Sequence, residues 1–160
     1  MLNINIICVG KLKEDYLKDA VYEYSKRLSK YCNLKFIEIQ DEKLPNKIND
    51  SVISEVKEKE CKKIIDNIKK ETYVIALDLK GKQFTSEEFS KKLEEITVKG
   101  YSTINFIIGG TLGLTGEVLK KSNELISFSK MTFPHQLIRV FLEEQLFRAF
   151  KISNNETYHW

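Results

Sequence analysis

The stretch TINFIIGGTLG, residues 103–113, joins a run of β-branched and aromatic residues to paired glycines. The run at residues 103–108 predicts a buried strand. Gly109 and Gly110 allow the chain to turn or bring backbone amides close to a ligand. The chain contains neither a Gly-x-Gly-x-x-Gly fingerprint nor a Gly-x-x-x-x-Gly-Lys phosphate loop, which makes NAD and ATP poor candidates. A ligand loop and an ordinary turn both stay open.

On both sides of this strand, hydrophobic periodicity predicts alternating strands and helices. The third helix begins at a capping box, Thr85-Ser86-Glu87-Glu88, and ends near Gly100. The alternation predicts an α/β fold with a mostly parallel sheet covered by helices on both faces. Ligands of such folds bind beyond the carboxyl ends of the strands. The predicted strands cover residues 3–9, 34–39, 72–79, 103–108 and 124–128, and the other predicted helices cover residues 14–31, 51–69, 117–122 and 135–152.

The length and composition favour one domain. A chain of 160 residues with 42% hydrophobic and 31% charged residues can form one ordinary core but hardly two, so we expect a single domain over residues 1–160. The apolar residues 2–9 are too few for a membrane span and lack the flanks of a signal peptide. Three widely spaced cysteines and two histidines favour neither a disulfide framework nor a metal site. We expect a cytoplasmic protein with no metal and no membrane partner.

The net charge of +3 permits an anionic partner without requiring one. Residues 11–35 hold seven Lys or Arg against four Asp or Glu. A solvated helix face explains this run as well as a nucleic-acid surface does. Because one chain would release few counterions, we expect any RNA partner to be recognised by a dimer or within an assembled particle.

The segment SFSKMTFPH, residues 127–135, connects the fifth predicted strand to the last helix. Pro134 fixes its own φ and biases Phe133 toward an extended conformation, so the loop should be stiff. It leaves the sheet at the same edge as Gly109 and Gly110, and the two loops could close on one ligand. An ordinary strand-to-helix connection capped by Thr132 is the alternative.

The last predicted helix carries two charged stripes among many apolar residues. His135, Arg139 and Glu143 are spaced by four, as are Glu144 and Arg148. The apolar residues cover more of the circumference than a solvent-facing helix needs, which favours a deeply buried helix or a dimer interface. Surface ion pairs are the plain alternative for the charged stripes.

The chain ends in Tyr158-His159-Trp160, whereas exposed tails are normally small and polar. An aromatic ring and an imidazole at this position could stack on a base or assist proton transfer. A tail that only packs against the domain is the other possibility.

Several segments together resemble one known family. They are FIIGG at residues 106–110, SFSKMTFPHQ at residues 127–136, EQLFRAFKI at residues 144–152, the terminal Tyr158-His159, and the opening VGKLK at residues 9–13. The chain resembles the small SPOUT-class methyltransferases that modify N3 of a pseudouridine in the bacterial large-subunit ribosomal RNA. The resemblance covers essentially the whole chain.

This resemblance implies a single SPOUT-type domain, S-adenosylmethionine as the methyl donor, a homodimer, and a C-terminal trefoil knot. General rules of chain topology would instead predict an unknotted sheet, because knots are very rare. The substrate it implies is 23S ribosomal RNA within the large subunit or the assembled 70S ribosome. The residues it implies for the donor pocket are Leu77, Gly109, Phe128, Ser129, Lys130, Met131, Thr132 and Phe133.

Methylation at N3 requires removal of a weakly acidic imide proton. We hypothesise that His159, reaching the acceptor in its own chain or across the dimer, acts with Tyr158, while Arg139 and Arg148 hold phosphate or stabilise negative charge. Two other functions remain open at this point. One is a non-catalytic ribosome-associated RNA-binding module, and the other is a methyltransferase for a protein or a small molecule.

Overall fold

The computed structural model describes residues 1–158. Within them the predicted alternation of strands and helices is confirmed. The strands are β1 (Leu2–Val9), β2 (Cys32–Ile39), β3 (Tyr73–Lys82), β4 (Thr103–Ile108) and β5 (Glu124–Ile126), and the helices are α1 (Asp15–Leu28), α2 (Asp50–Asp66), α3 (Ser86–Val98), α4 (Gly116–Lys121) and α5 (His135–Ser153).

The strands form one sheet in the order β2-β1-β4-β3-β5. Each pairing between these strands is parallel, so the predicted mostly parallel sheet is confirmed. Strand β4 pairs with β1 on one side and β3 on the other, which explains why Ile104 to Ile108 are all buried. Residues 103–108 are therefore an inner strand, and Gly109 and Gly110 after it lie at the carboxyl edge of the sheet.

Helices cover both faces of the sheet, as predicted. Alternate residues of β1 point to opposite faces, with Ile6 in one apolar cluster and Ile7 in the other. Leu28, Phe89 and Leu142 bring α1, α3 and α5 to the first face. Helices α2 and α4 cover the second face through residues that include Ile64 and Val118. None of the helices within residues 1–158 is long and apolar enough to cross a membrane.

The helix ends that differ from prediction have local causes. Helices α1 and α2 stop at Leu28 and Asp66, before the predicted residues 31 and 69. The Ser29 hydroxyl donates to the carbonyl of Lys26 at 2.6 Å, and the Asn67 amide donates to that of Lys63 at 2.8 Å. These side chains donate hydrogen bonds to backbone carbonyls near the ends of α1 and α2, and such bonds favour the end of a helix. The capping box at the start of α3 is confirmed.

Strand β3 is longer than predicted and β5 is shorter, for one shared reason. Ile126 of β5 pairs with Leu77 and then again with Lys82, across a register shift in β3. The stretch between those two residues therefore curves around the end of β5. The Ser127 amide donates to the carbonyl of Lys82 at 3.0 Å, which ends the predicted strand two residues early. We call this contact between residues 78–82 and the end of β5 the crossing.

Helix α5 packs against α1 and α3 and buries two charged residues. The Arg139 guanidinium donates to Glu38 Oε2 at 3.0 Å and to the carbonyls of Val9 at 3.1 Å and Gly10 at 2.8 Å. It therefore ties α5 to the carboxyl ends of β1 and β2. Glu143 accepts a hydrogen bond from the Ser25 hydroxyl at 2.7 Å, and within the described residues its Oε2 has no partner.

Burial raises the pKa of the Glu143 carboxyl from 4.5 to about 8. Folding therefore favours the protonated acid, and its contribution to stability is lost as the pH rises from about 4.5 to about 8. We expect Glu143→Gln, which can still accept from Ser25, to stabilise the protein at the upper end of that range by on the order of 3 kcal/mol. The gain should vanish at the lower end. Urea unfolding across this pH range measures it, with the exposed Glu117→Gln as control, and a pH-independent difference would contradict the assignment.

Candidate functional site

The end of β3 and the loops that follow β4 and β5 meet at the carboxyl edge of the sheet and enclose a cleft of about 520 Å³. We call it the first cleft. Residues 77–80 form one wall, residues 108–114 a second, and residues 126–133 a third, while the beginning of α5 closes the base. This is the edge at which open α/β sheets bind ligands, and its volume suits a small organic molecule.

The wall after β4 presents backbone to the first cleft, because the neighbouring atoms leave no room for a side chain at Gly109 or Gly110. A Cβ on Gly109 would lie 3.1 Å from the Gly113 carbonyl carbon, and one on Gly110 would lie 3.1 Å from Val9 Cγ1. Gly110 and Gly113 pair across the turn, and Gly113 has φ +80°, which favours glycine. The paired glycines are therefore held in place by packing as well as by the turn.

The wall after β5 is a short ordered loop with exposed apolar side chains. The Ser127 hydroxyl donates to the Ser129 carbonyl at 2.8 Å, and the Ser129 hydroxyl accepts from the Met131 amide at 3.0 Å. The Phe133 ring packs edge-on against Phe141 of α5 with centroids 5.5 Å apart. Met131 is nonetheless 75% exposed. The loop thus offers a folded backbone together with apolar side chains that have room to contact a ligand.

Most of the residues that the family resemblance implied for a donor pocket lie together around this cleft. They are Leu77, Gly109, Phe128, Ser129, Met131, Thr132 and Phe133. Lys130 is exposed and is not among the residues that line the cleft. The structure thus brings seven of the eight residues to one place, and what binds there stays a prediction.

A comparison with protein-family models matches residues 2–159 to the family described as predicted SPOUT methyltransferase. The chain belongs to the SPOUT methyltransferase family. The match covers all five strands and five helices described above.

Curated relatives of similar length support this assignment. The chain is 57% identical over 158 residues to the ribosomal RNA large subunit methyltransferase H of Clostridium acetobutylicum, covering 99% of both chains. It is 56% identical over 158 residues to ribosomal RNA large subunit methyltransferase H 1 of Clostridium perfringens, again covering 99% of both. A solved structure of a probable methylase family protein from Haemophilus influenzae shares the fold, with a TM-score of 0.57 and 14% identity over 98% of this chain and 70% of that chain.

Of the residues predicted to act in catalysis, Arg139 and Tyr158 have different hydrogen-bond partners in this SPOUT chain. Arg139 is 1% exposed and its guanidinium is engaged with Glu38 and two backbone carbonyls, so in this structure it faces the interior and not an RNA phosphate. Its placement favours a structural role. His159 lies outside the described residues.

Tyr158 packs against α5, so the described part of the tail is anchored. Its hydroxyl donates to Glu144 Oε1 at 3.1 Å, and the Arg148 guanidinium lies 4.7 Å from the centre of its ring. Arg148 in turn donates to Glu144 Oε1 at 2.6 Å, and Phe147 packs edge-on against the tyrosine ring. The second charged pair predicted for this helix therefore holds the tail.

Sequence reasoning missed two residues that matter to the site, one at the first cleft and one at the crossing. His135 borders the cleft and its buried Nδ1 has no partner within residues 1–158, while burial and the nearby Arg139 lower the pKa of this imidazole. Gly81 forms the crossing, where a Cβ would lie 2.6 Å from the backbone nitrogen and carbonyl carbon of Ile126. A lone glycine late in a strand signals such a close approach, whereas no signal in the sequence isolates His135 from an ordinary first residue of a helix.

We predict that Gly81→Ala lowers the free energy of unfolding by about 2 to 4 kcal/mol, because the methyl group would meet the backbone of β5, which cannot move aside as a side chain can. Thermal or urea unfolding measures the change. Gly116→Ala is the matched control, since nothing lies within 4 Å of a Cβ there. It should change stability by less than about 1 kcal/mol. Equal changes in the free energy of unfolding for Gly81→Ala and Gly116→Ala would contradict the close backbone contact at the crossing.

Proposed function

We propose that this chain transfers a methyl group from S-adenosylmethionine to N3 of a pseudouridine in 23S ribosomal RNA, within the large subunit or the assembled ribosome. The observation that carries the proposal is the first cleft, where residues 77–80, 108–114 and 126–133 converge in a member of a methyltransferase family. The names of its relatives supply the ribosomal RNA substrate. The pseudouridine and its N3 rest on the resemblance described above. A ribosomal substrate would place the protein in the cytoplasm.

The first cleft fits the methyl donor in size and in the chemistry of its walls. Its volume of about 520 Å³ lies within the range of small-molecule sites. The glycine wall would contact the ligand through backbone, and Leu77, Phe128 and Met131 offer apolar surface. S-adenosylmethionine supplies a methyl group bound to a positively charged sulfur. Because that charge is lost on transfer, shape and apolar contact serve the pocket better than a fixed counter-charge.

The crossing supports the trefoil knot that the family resemblance implies. Ile126 lies between Leu77 and Lys82, with the chain curving around it. We infer that the chain beyond β5 passes through the loop that residues 78–82 complete, and that it returns to the sheet through α5. Such threading would fix the first and third walls of the first cleft against each other. It would also explain why position 81 is occupied by glycine, since a Cβ there would meet the backbone of Ile126.

Removal of the N3 proton requires a group near the acceptor. Burial and the nearby Arg139 lower the pKa of His135, which favours the neutral imidazole, and its buried Nδ1 has no hydrogen-bond partner within the described residues. The Tyr158 hydroxyl donates to Glu144 on α5, which anchors the described part of the tail. We propose the part of the His135 imidazole that lines the first cleft as a further candidate for the proton acceptor beside His159, with Tyr158 orienting the tail. The nitrogen lone pair then forms the new bond to carbon as the sulfur–carbon bond breaks.

A homodimer remains part of the proposal. Phe133 and Phe141 pack against each other yet are 40% and 38% exposed, and Met131, two residues before Phe133, is 75% exposed. This apolar patch adjoins the first cleft on the outside of α5, and a second chain covering it would shield the cleft from water. A single methyltransferase domain over the whole chain is consistent with the family match to residues 2–159.

Titration calorimetry with S-adenosylmethionine tests the donor site. We expect Gly109→Val to weaken binding by at least about tenfold, because the added side chain would displace Gly113 and Leu114, which line the cleft. Val98→Ala, at an exposed position on α3, should leave the affinity unchanged. Unchanged affinity in folded Gly109→Val would remove these loops as the donor site. A wild-type chain that binds no donor would instead favour the non-catalytic RNA-binding module.

Transfer of tritiated methyl groups to ribosomes tests the tail. Tyr158→Phe keeps the ring contacts but loses the hydrogen bond to Glu144, and we expect a rate about tenfold lower. His159→Ala should lower the rate by about a hundredfold if the imidazole carries the proton. The control is Tyr22→Phe, an exposed tyrosine on α1. Wild-type rates in both tail variants would exclude the tail from the reaction, and label found in protein and not in RNA would favour a different substrate class.

A further inference from the structure

A second cleft of about 400 Å³ lies next to the first, beyond the carboxyl ends of β1 and β2. It is bounded by residues 9–13 after β1, by residues 41–44 after β2, and by one side of α2. Neither the resemblance nor the comparisons assign this cleft to any ligand. Its position at the same edge of the sheet makes it a binding site of the kind that these folds use.

The two clefts share a wall. Gly110, Thr111 and His135 line both of them. A Cβ on Gly110 would lie 3.1 Å from Val9 and 3.5 Å from Glu60 Oε1, so at this point the two spaces are separated by little more than backbone. A molecule in the second cleft would therefore lie close to one in the first, as a methyl acceptor must lie close to its donor.

The floor of the second cleft carries a buried carboxylate. Glu60 is only 6% exposed, although charged side chains are rarely buried unless they are paired. Its Oε2 accepts the backbone amide of Glu42 at 3.1 Å, while Oε1 points toward Gly110. Val9 and Val56 surround it with apolar surface. An acceptor oxygen in such a setting favours a ligand that offers an N–H or O–H group in return.

The rim of the second cleft differs from its floor. Three lysines contribute ammonium groups around the opening, Lys11, Lys13 and Lys43. Asp41 and Glu42 add two carboxylates, and that of Glu42 is paired with Lys63. Phosphates attached to a bound nucleoside would meet these cations at the surface. The combination of a cationic rim, an apolar wall and a single buried acceptor fits a nucleotide with its base pointing inward.

We propose that the second cleft holds the acceptor nucleoside and that Glu60 Oε1 accepts a hydrogen bond from the N1–H of pseudouridine. The proposal rests on the proposed function and deepens it. In pseudouridine both N1 and N3 carry a proton, whereas uridine uses N1 for the bond to its sugar. With N3 turned toward the donor, N1–H is the group that distinguishes the two bases. A buried acceptor discriminates strongly against a ligand that lacks the matching donor.

Glu60→Gln tests this assignment with little change in shape. The amide oxygen can still accept from Glu42, and the amide NH₂ would then face the cleft and repel a ring N–H. The assay compares kcat/KM for ribosomes that carry pseudouridine at the target with that for ribosomes from a strain lacking the corresponding pseudouridine synthase. We expect the preference of the wild-type chain for pseudouridine to fall by at least about tenfold in Glu60→Gln, with calorimetric affinity for S-adenosylmethionine unchanged. Glu58→Gln, an exposed neighbour on α2, is the matched control and should keep the preference.

A second variant separates cleft occupancy from any folding defect. Leu44 lines the second cleft and is 43% exposed in a loop, so Leu44→Trp narrows the opening without disturbing the core. It should raise KM for ribosomes and leave donor affinity unchanged. An unaltered preference in folded Glu60→Gln, or an unaltered KM in Leu44→Trp, would overturn the inference while leaving the proposed function intact. Failure of the wild-type chain to methylate either kind of ribosome would contradict the proposed function itself.

Discussion

The contact between Gly81 and the backbone of Ile126 is the constraint on which the site depends. At that point the end of β3 curves around the end of β5, at a distance that leaves no space for a Cβ. Because β3 and β5 are held together there, residues 77–80 of β3 and the loop after β5 face each other across the first cleft. Backbone that is fixed by main-chain pairing and close packing cannot be displaced cheaply. The cleft is therefore preorganised by the chain path, before any ligand contributes.

A second anchor connects α5 to the other half of the sheet edge. Arg139 reaches from the first turns of α5 to the carbonyls of Val9 and Gly10 and to Glu38. Because it is buried, Arg139 connects these elements and is not available as a free charge. Removing its partners would leave an unpaired cation in the interior, which is strongly destabilising. Its hydrogen bonds set the position of His135, one turn earlier, between the two clefts.

Local signals in the sequence were enough to predict the succession of strands and helices along the chain, the capping box of α3, and the loops around the first cleft. Each of these depends on residues close together in sequence, such as the glycines after β4 or the residues before Pro134. The crossing, the burial of Arg139 and Glu143, and the second cleft depend on contacts between distant segments. Arg139 and Glu143 look like an exposed charged stripe until the helix is packed against α1. Glu60 likewise looks like a surface residue of α2 until the loop at Gly110 covers it.

We propose that the cleft built around this crossing serves methyl transfer to ribosomal RNA. Mass spectrometry of nucleosides and fragments of 23S ribosomal RNA, from a strain lacking the gene and from its parent, tests this function. We expect one pseudouridine in the large-subunit RNA to lose a methyl group in the deletion strain and to regain it when the intact gene is returned. Ribosomal RNA with the same methylation in both strains would contradict it.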